Sequence, residues 1–209
     1  MAVSSLTKFT VPLSGNQSAS AQGLLMPKLK FRFRATFANF GVTTGKLVEL
    51  TKQVIDIKRP TLNFPEITID SYNSKVYLQG KPEWQETTIN LRDDANGNVS
   101  RLVGEQIQKQ FDFMEQSSAS SGIDYKFITR VEMLDGGNGA TTVNVLEAWE
   151  LDGCFLSSVD WGDMNYSTND PVQIALTIKF DNAIQTDSSG NPVGIGTSVG
   201  RTLGTLATG

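Results

Sequence analysis

The 209-residue chain contains no histidine. That absence removes Ser-His-Asp and Cys-His nucleophilic catalysis, imidazole metal sites and the side chain that titrates near neutral pH. Cysteine occurs once, at Cys154, so neither an intrachain disulfide nor a multi-cysteine zinc site can form. Flanked by Gly153 and Phe155, with no histidine to activate it, Cys154 reads as a small strand residue. No apolar run reaches the roughly 18 residues of a transmembrane helix, so membrane insertion by this chain is not expected. The first ten residues lack a basic segment followed by an apolar one, so no signal peptide is expected. A basic excess is missing too. The net charge is −4 and the pI about 4.9, against the clustered lysines and arginines that grip DNA phosphates. Asp160, Asp163 and Asp170 are too widely spaced for a calcium loop. Gly136, Gly137 and Gly139 lack the Lys-Ser/Thr and helix of a phosphate loop and read as a hairpin turn.

What the chain does have is a period of two. Leu29, Phe31, Phe33, Ala35 and Phe37 alternate with Lys28, Lys30, Arg32, Arg34 and Thr36, predicting a half-buried strand with one basic face. Val54, Ile55 and Ile57 predict a second strand, closed by Lys58-Arg59-Pro60. Ile67 and Ile69, then Val76 and Leu78, flank Ser71-Tyr72-Asn73-Ser74 and predict a hairpin with a polar tip. Thr87, Ile89 and Leu91 alternate again, as do Tyr125, Phe127, Thr129, Val131 and Met133. A strand beginning at Val143 and Val145 slips phase between Leu146 and Trp149, which predicts a bulge. Val172 to Phe180 supply the last strand. One helix interrupts the series: Val99, Leu102, Val103, Ile107, Phe111 and Met114 form an amphipathic stripe, with Asn98 placed as N-cap.

About seven or eight strands and one helix predict a mainly β fold, an antiparallel β-sandwich or open barrel. Residues 1–27 and 185–209, rich in Gly, Ser and Thr or Ala, read as an N-terminal arm and a C-terminal tail around a 28–184 domain. Charge is segregated. From Lys28 to Arg59 eight basic residues face two acidic ones, a net of +6. From Glu147 to Asp181 seven acidic residues face one lysine, a net of −6. Either these strands neutralise each other within one sheet, or oppositely charged surfaces meet between subunits, as in head-to-tail rings and filaments.

Candidate chemistry is sparse. Asp93-Asp94 before Asn96-Gly97 reads as a turn rather than a paired-carboxylate site. Trp84, Trp149 and Trp161 could form a sugar platform but read as packing residues. No enzymatic activity, cofactor or metal is expected.

The order of features from about Leu29 to Ile184 resembles the tail tube proteins of contractile-tailed bacteriophages, a group related to type VI secretion tube proteins. The resemblance is carried by Ile57-Lys58-Arg59-Pro60, Phe64-Pro65-Glu66-Ile67-Thr68-Ile69 and Tyr72-Asn73-Ser74-Lys75-Val76. It continues in the block Trp84 to Asp94 that leads into the helix. It ends in the pair Trp149 to Phe155 and Val172 to Phe180. It implies a non-enzymatic virion protein assembled in the host cytoplasm. Its hexameric rings stack into a helical tube inside a sheath, with baseplate and terminator proteins at the ends, and genomic DNA passes through the lumen. A hexamer of this chain would carry −24, six times −4, which suits a lumen poor in basic patches. Arg59, Phe64, Tyr72, Asn73 and Lys75 are candidates for subunit or ring contacts. Lys28, Lys30, Arg32 and Arg34 are expected to meet Glu147, Glu150 and Asp152, on the same or a neighbouring subunit. The alternatives are a tube-initiating baseplate protein, a secretion-system tube, a carbohydrate-binding β-sandwich and, most remotely, a hydrolase using Asp93, Asp94 or Glu86.

Overall fold

A computed structural model describes residues 27–42, 47–137 and 143–198. A unit ending at Arg32 is distinct from the unit that begins at Phe33. In the first, the described residues 27–32 form no strand: the Arg32 N–H donates to the Leu29 carbonyl and closes a turn. The strand expected from Leu29 therefore starts only at Phe33. Lys28, Lys30 and Arg32 do not share a strand face with Arg34.

The second unit is mainly β and antiparallel, as the alternation predicts. One path of hydrogen-bonded strands carries the core. It runs from β1 (Phe33–Ala38) through β10 (Phe127–Leu134), β11 (Val145–Asp160), β12 (Gln173–Lys179) and β7 (Thr87–Arg92) to β2 (Val54–Ile57). β13 (Asn182–Thr186) also pairs with β11. The proposed domain boundary at 184/185 thus falls inside a strand. Beyond it, Val193 N–H donates to Gln185 and Gln185 N–H to Ile195, so described residues just past β13 fold back on it.

The pattern works because each of these strands turns one face inward. Ala35 and Phe37 of β1, Ile89 and Leu91 of β7, and Ile174, Leu176 and Ile178 of β12 are buried together with Phe127 and Leu151. Each Phe, Ile or Leu among them contributes about 1.5–3 kcal/mol on burial. Helix α2 (Asn98–Gln110) lays Val99, Leu102 and Val103 on this core, and the shorter α1 (Leu47–Gln53) adds Leu50. Among the described residues no helix is long and apolar enough to cross a membrane.

β11 is the element that bends the sheet. Its first half pairs with β10 and β13, its second half with β12. Met133 faces Glu147 while Leu134 faces Val145, so Leu146 is the extra residue of a bulge, within the predicted segment. A second irregularity falls at Gly153, whose φ of 67° lies in the left-handed region.

The helix is shorter than its stripe. It ends at Gln110, and Phe111–Asp112 form β8, paired with β9 (Ser117–Ser118). The Asp112 carboxylate accepts the N–H groups of Met114 and Glu115 and turns the chain away, leaving Met114 90% exposed. Asn98 is not the cap either. Gly97 occupies that position, and the Asp94 carboxylate accepts from the Asn98 and Val99 N–H groups at 2.6 and 3.3 Å. Tyr125 ends a short helix, α3 (Gly122–Tyr125), instead of opening a strand.

Candidate assembly interface

Between β2 and β7 the chain leaves the core as an arm. Its root is a short ladder of β3 (Thr61–Asn63) on β6 (Glu83–Gln85). The arm itself is β4 (Glu66–Ser71) paired with β5 (Ser74–Gln79), and every residue of both strands is exposed. Gly80 N–H donates to the Pro65 carbonyl at 2.6 Å and pins the arm to its root. Cross-strand register puts Ile67 opposite Leu78 and Ile69 opposite Val76, so four aliphatic side chains share one face. The other face carries Thr68 and Tyr77, then Asp70 and Lys75, whose charges sit 3.6 Å apart. An isolated two-stranded ribbon is a marginal structure, and an apolar face open to water makes it a candidate interaction surface. The predicted tip is confirmed: Tyr72 and Asn73 form it, with Ser74 Oγ donating to the Ser71 carbonyl. Arg59 and Phe64 flank the root strand β3, both exposed.

The charged residues resolve differently. Arg34 does not meet Glu147, Glu150 or Asp152 directly, because β10 lies between β1 and β11. Its Nε donates to Glu132 at 2.7 Å. Arg130 Nε donates to the other oxygen of Glu132 at 2.9 Å and reaches Glu150 at 3.2 Å with a terminal nitrogen. A ladder Arg34–Glu132–Arg130–Glu150 crosses three strands and carries no net charge. Glu132 and Arg130 were not singled out from the sequence. Their signal was local: two opposite charges two residues apart on the polar phase of a strand. Glu147 is buried and accepts from Trp149 Nε1 at 2.8 Å and from the Gln185 amide at 2.9 Å. Asp152 sits beside the Gly153 bend, where burial and then the nearby Glu150 raise its pKa above the ordinary carboxylate range. Arg32 lies 5.5 Å from the Phe31 ring, and Lys28 and Lys30 are exposed. The structure therefore brings Arg34 and Glu150 into one network and the arm residues onto one ribbon.

The groups considered for catalysis have structural partners. Asp93 accepts from the Ser100 N–H and hydroxyl, and with Asp94 it neutralises the helix start. Burial opposes ionisation of Asp94, yet hydrogen bonds from the Asn98 side chain and the Val99 and Asn98 N–H groups hold its pKa below the usual value. Glu86 accepts from Ser157 at 3.1 Å. Trp84 packs on Phe180 at 5.7 Å, and Trp149 packs against the core.

No family model and no curated protein matches this sequence. Solved structures do. The chain is similar to one in the sheath/tube terminator of the PVC extracellular contractile injection system, with a TM-score of 0.57, 13% identity, and coverage of 78% of this chain and 99% of that one. It is similar to one in the tube-terminating cap of the anti-feeding prophage, with a TM-score of 0.56, 14% identity, and coverage of 79% and 94%. It is also similar to one in the PVC sheath–tube complex, with a TM-score of 0.55, 14% identity, and coverage of 82% and 99%. This is the fold of contractile-injection-system tube and terminator proteins. The tube fold spans nearly the full length of those chains and accounts for the order of features that the sequence displayed.

Cys154 lies on β11, fully buried, as its neighbours predicted. Burial pushes its thiol up to about 11. A thiol reagent at pH 8 should therefore label the folded tube-fold domain only at the rate at which it opens. Labelling within seconds under native conditions, measured by absorbance, would contradict this placement.

Proposed function

We propose that this chain is a structural subunit of a contractile tail tube. Hexameric rings stack head to tail into a hollow tube inside a sheath, and genomic DNA passes along the lumen. The observation that carries the reading is the apolar face of the arm, Ile67, Ile69, Val76 and Leu78, all four of them exposed. The occupant we assign to it is a second copy. β1 and β2 end the strand path, and each offers an edge to a neighbour in the ring. The neutral Arg34–Glu132–Arg130–Glu150 ladder suits a conduit, since a strongly basic surface would hold DNA rather than release it. Sheath, baseplate and terminator proteins are the partners this role requires. The residues 1–26 and 199–209, assigned to the arm and tail that could clasp adjacent rings, lie outside the described residues.

Negative-stain electron microscopy of the purified chain, across protein and salt concentration, tests the reading. Wild type should give rings or hollow tubes. Ile69→Asp should abolish tubes while shifting the melting temperature by less than about 2 °C, because Ile69 lies outside the core. A wild-type chain that stays monomeric under every condition overturns the self-assembling role. Single rings without tubes favour a tube end, the position named in two of the structural likenesses.

A further inference from the structure

We propose that Tyr72, at the tip of one copy's arm, seats in the cleft at the root of a second copy's arm. This inference rests on the tube reading and adds to it a specific contact.

The two-residue loop between Ser71 and Ser74 calls for a positive φ at position 72, but nothing among the described residues of one subunit explains a tyrosine there. Its side chain is 101% exposed, and its φ of 46° is left-handed, a conformation that glycine or asparagine adopts at lower cost. Asparagine stands next door at position 73 and would fill that turn position with less strain. A bulky aromatic that is fully exposed in a conformation disfavoured for its type is a candidate for contact with something else.

The root offers a receptor. An open cleft of about 400 Å³ lies there, lined among others by Lys58, Thr61, Glu83, Trp84, Glu86 and Lys179. A cavity of roughly 150 Å³ already admits a benzene ring, so the volume is ample for a phenol. The chemistry also fits. Trp84 is braced against Phe180 and presents an aromatic wall. Lys58 and Lys179 supply ammonium groups that can lie over a ring face. Glu83 and Glu86 supply carboxylates to accept the phenolic O–H.

Tyr72 cannot fill its own cleft. It lies nine residues beyond Asn63 of the root, a reach of up to roughly 30 Å along an extended strand. The donor must be another copy. Tip and root are different surfaces on one element, so the contact is heterologous, and repeated in one direction it builds a ring where the rotation closes and an open stack where it does not.

The test uses the full chain with Asn73→Cys and Thr61→Cys combined, keeping Tyr72 in place. Cys154 is buried and does not compete. A short bis-maleimide should yield a ladder of dimers, trimers and higher species on a denaturing gel, whereas each single variant stops at a dimer. A ladder no longer than the single variants give, or one ending at a dimer, overturns the proposal. As a second measure, Tyr72→Gly relieves the left-handed strain. It should leave the monomer's melting temperature equal or higher, yet raise the concentration needed for tube formation at least tenfold. Tubes forming at the wild-type concentration overturn the contact while leaving the tube reading intact. If wild type forms no tubes, that reading fails, and the cross-linking result alone decides the contact.

Discussion

Replacing Gly153 with alanine should lower the melting temperature of the unassembled chain by about 10 °C. Two separate costs add. The φ of 67° costs an L-residue about 1–2 kcal/mol. A Cβ built at this position also collides with the Asp181 carboxylate, so that side chain must swing away. Its ion pair with Lys126 is then lost. The Asp181 N–H bond to the Asp152 carbonyl, which holds β13's approach to β11, is disturbed as well. Together these reach about 3 kcal/mol, and a domain of this size loses about 2–4 °C per kcal/mol. Thermal melting by circular dichroism, below the concentration at which assembly adds its own stabilisation, measures the loss. Combining the change with Asp181→Ala should recover the steric share and leave the backbone share, because only the carboxylate end collides closely. A Gly153→Ala variant that melts with wild type would mean the bend in β11 is not where the structure places it.

The second large effect is expected from Glu132→Ala. The Glu132 side chain is 8% exposed and accepts from Arg34 on one side and Arg130 on the other. Truncation leaves two guanidinium groups facing each other on adjacent strands. Removing one member of a fully buried pair costs about 3–5 kcal/mol. Here the arginines are 45% and 32% exposed, so solvent screens part of the repulsion, and about 2–3 kcal/mol is the expected loss. The sign of the salt response identifies the cause. Raising sodium chloride from 0.05 to roughly 0.5 M should narrow the gap between variant and wild type, since the repulsion is screened. A gap that stays constant with salt would point to packing alone. The triple change to methionine at positions 34, 130 and 132 should cost less than Glu132→Ala, because it leaves no facing guanidinium groups and the one charge that loses its partner, Glu150, is 38% exposed.

Reversing Arg34 to Glu does not isolate an intersubunit contact between the +6 and −6 segments. Arg34 is committed to Glu132 inside its own sheet. Its reversal would damage the subunit, and lost tubes would then say nothing about the ring contact. The exposed arm gives a cleaner handle, because its side chains lie outside the core.

The alternation of residues was enough to place the mainly β architecture, most core strands and the hairpin that becomes the arm. Period-two alternation is local: Ile67, Ile69, Val76 and Leu78 declare a shared face wherever the ribbon goes. The composition also excluded histidine-dependent chemistry, since no fold can restore a missing histidine. The rest came from how the strands pack. Which charges neutralise each other depends on strand order, and nothing in the alternation of β1 says that β10 will lie between it and β11. The helix stripe ran through Phe111 and Met114, yet the Asp112 carboxylate captured two N–H groups and ended the helix early. Asn98 had the composition of a cap, but Asp93 and Asp94 reached the first turn from outside it. The cleft at the arm's root joins Lys58, Trp84 and Lys179 from three separate stretches of chain. Each of these outcomes rests on groups distant in sequence, or on competition between nearby hydrogen-bond acceptors, and a periodic pattern carries neither.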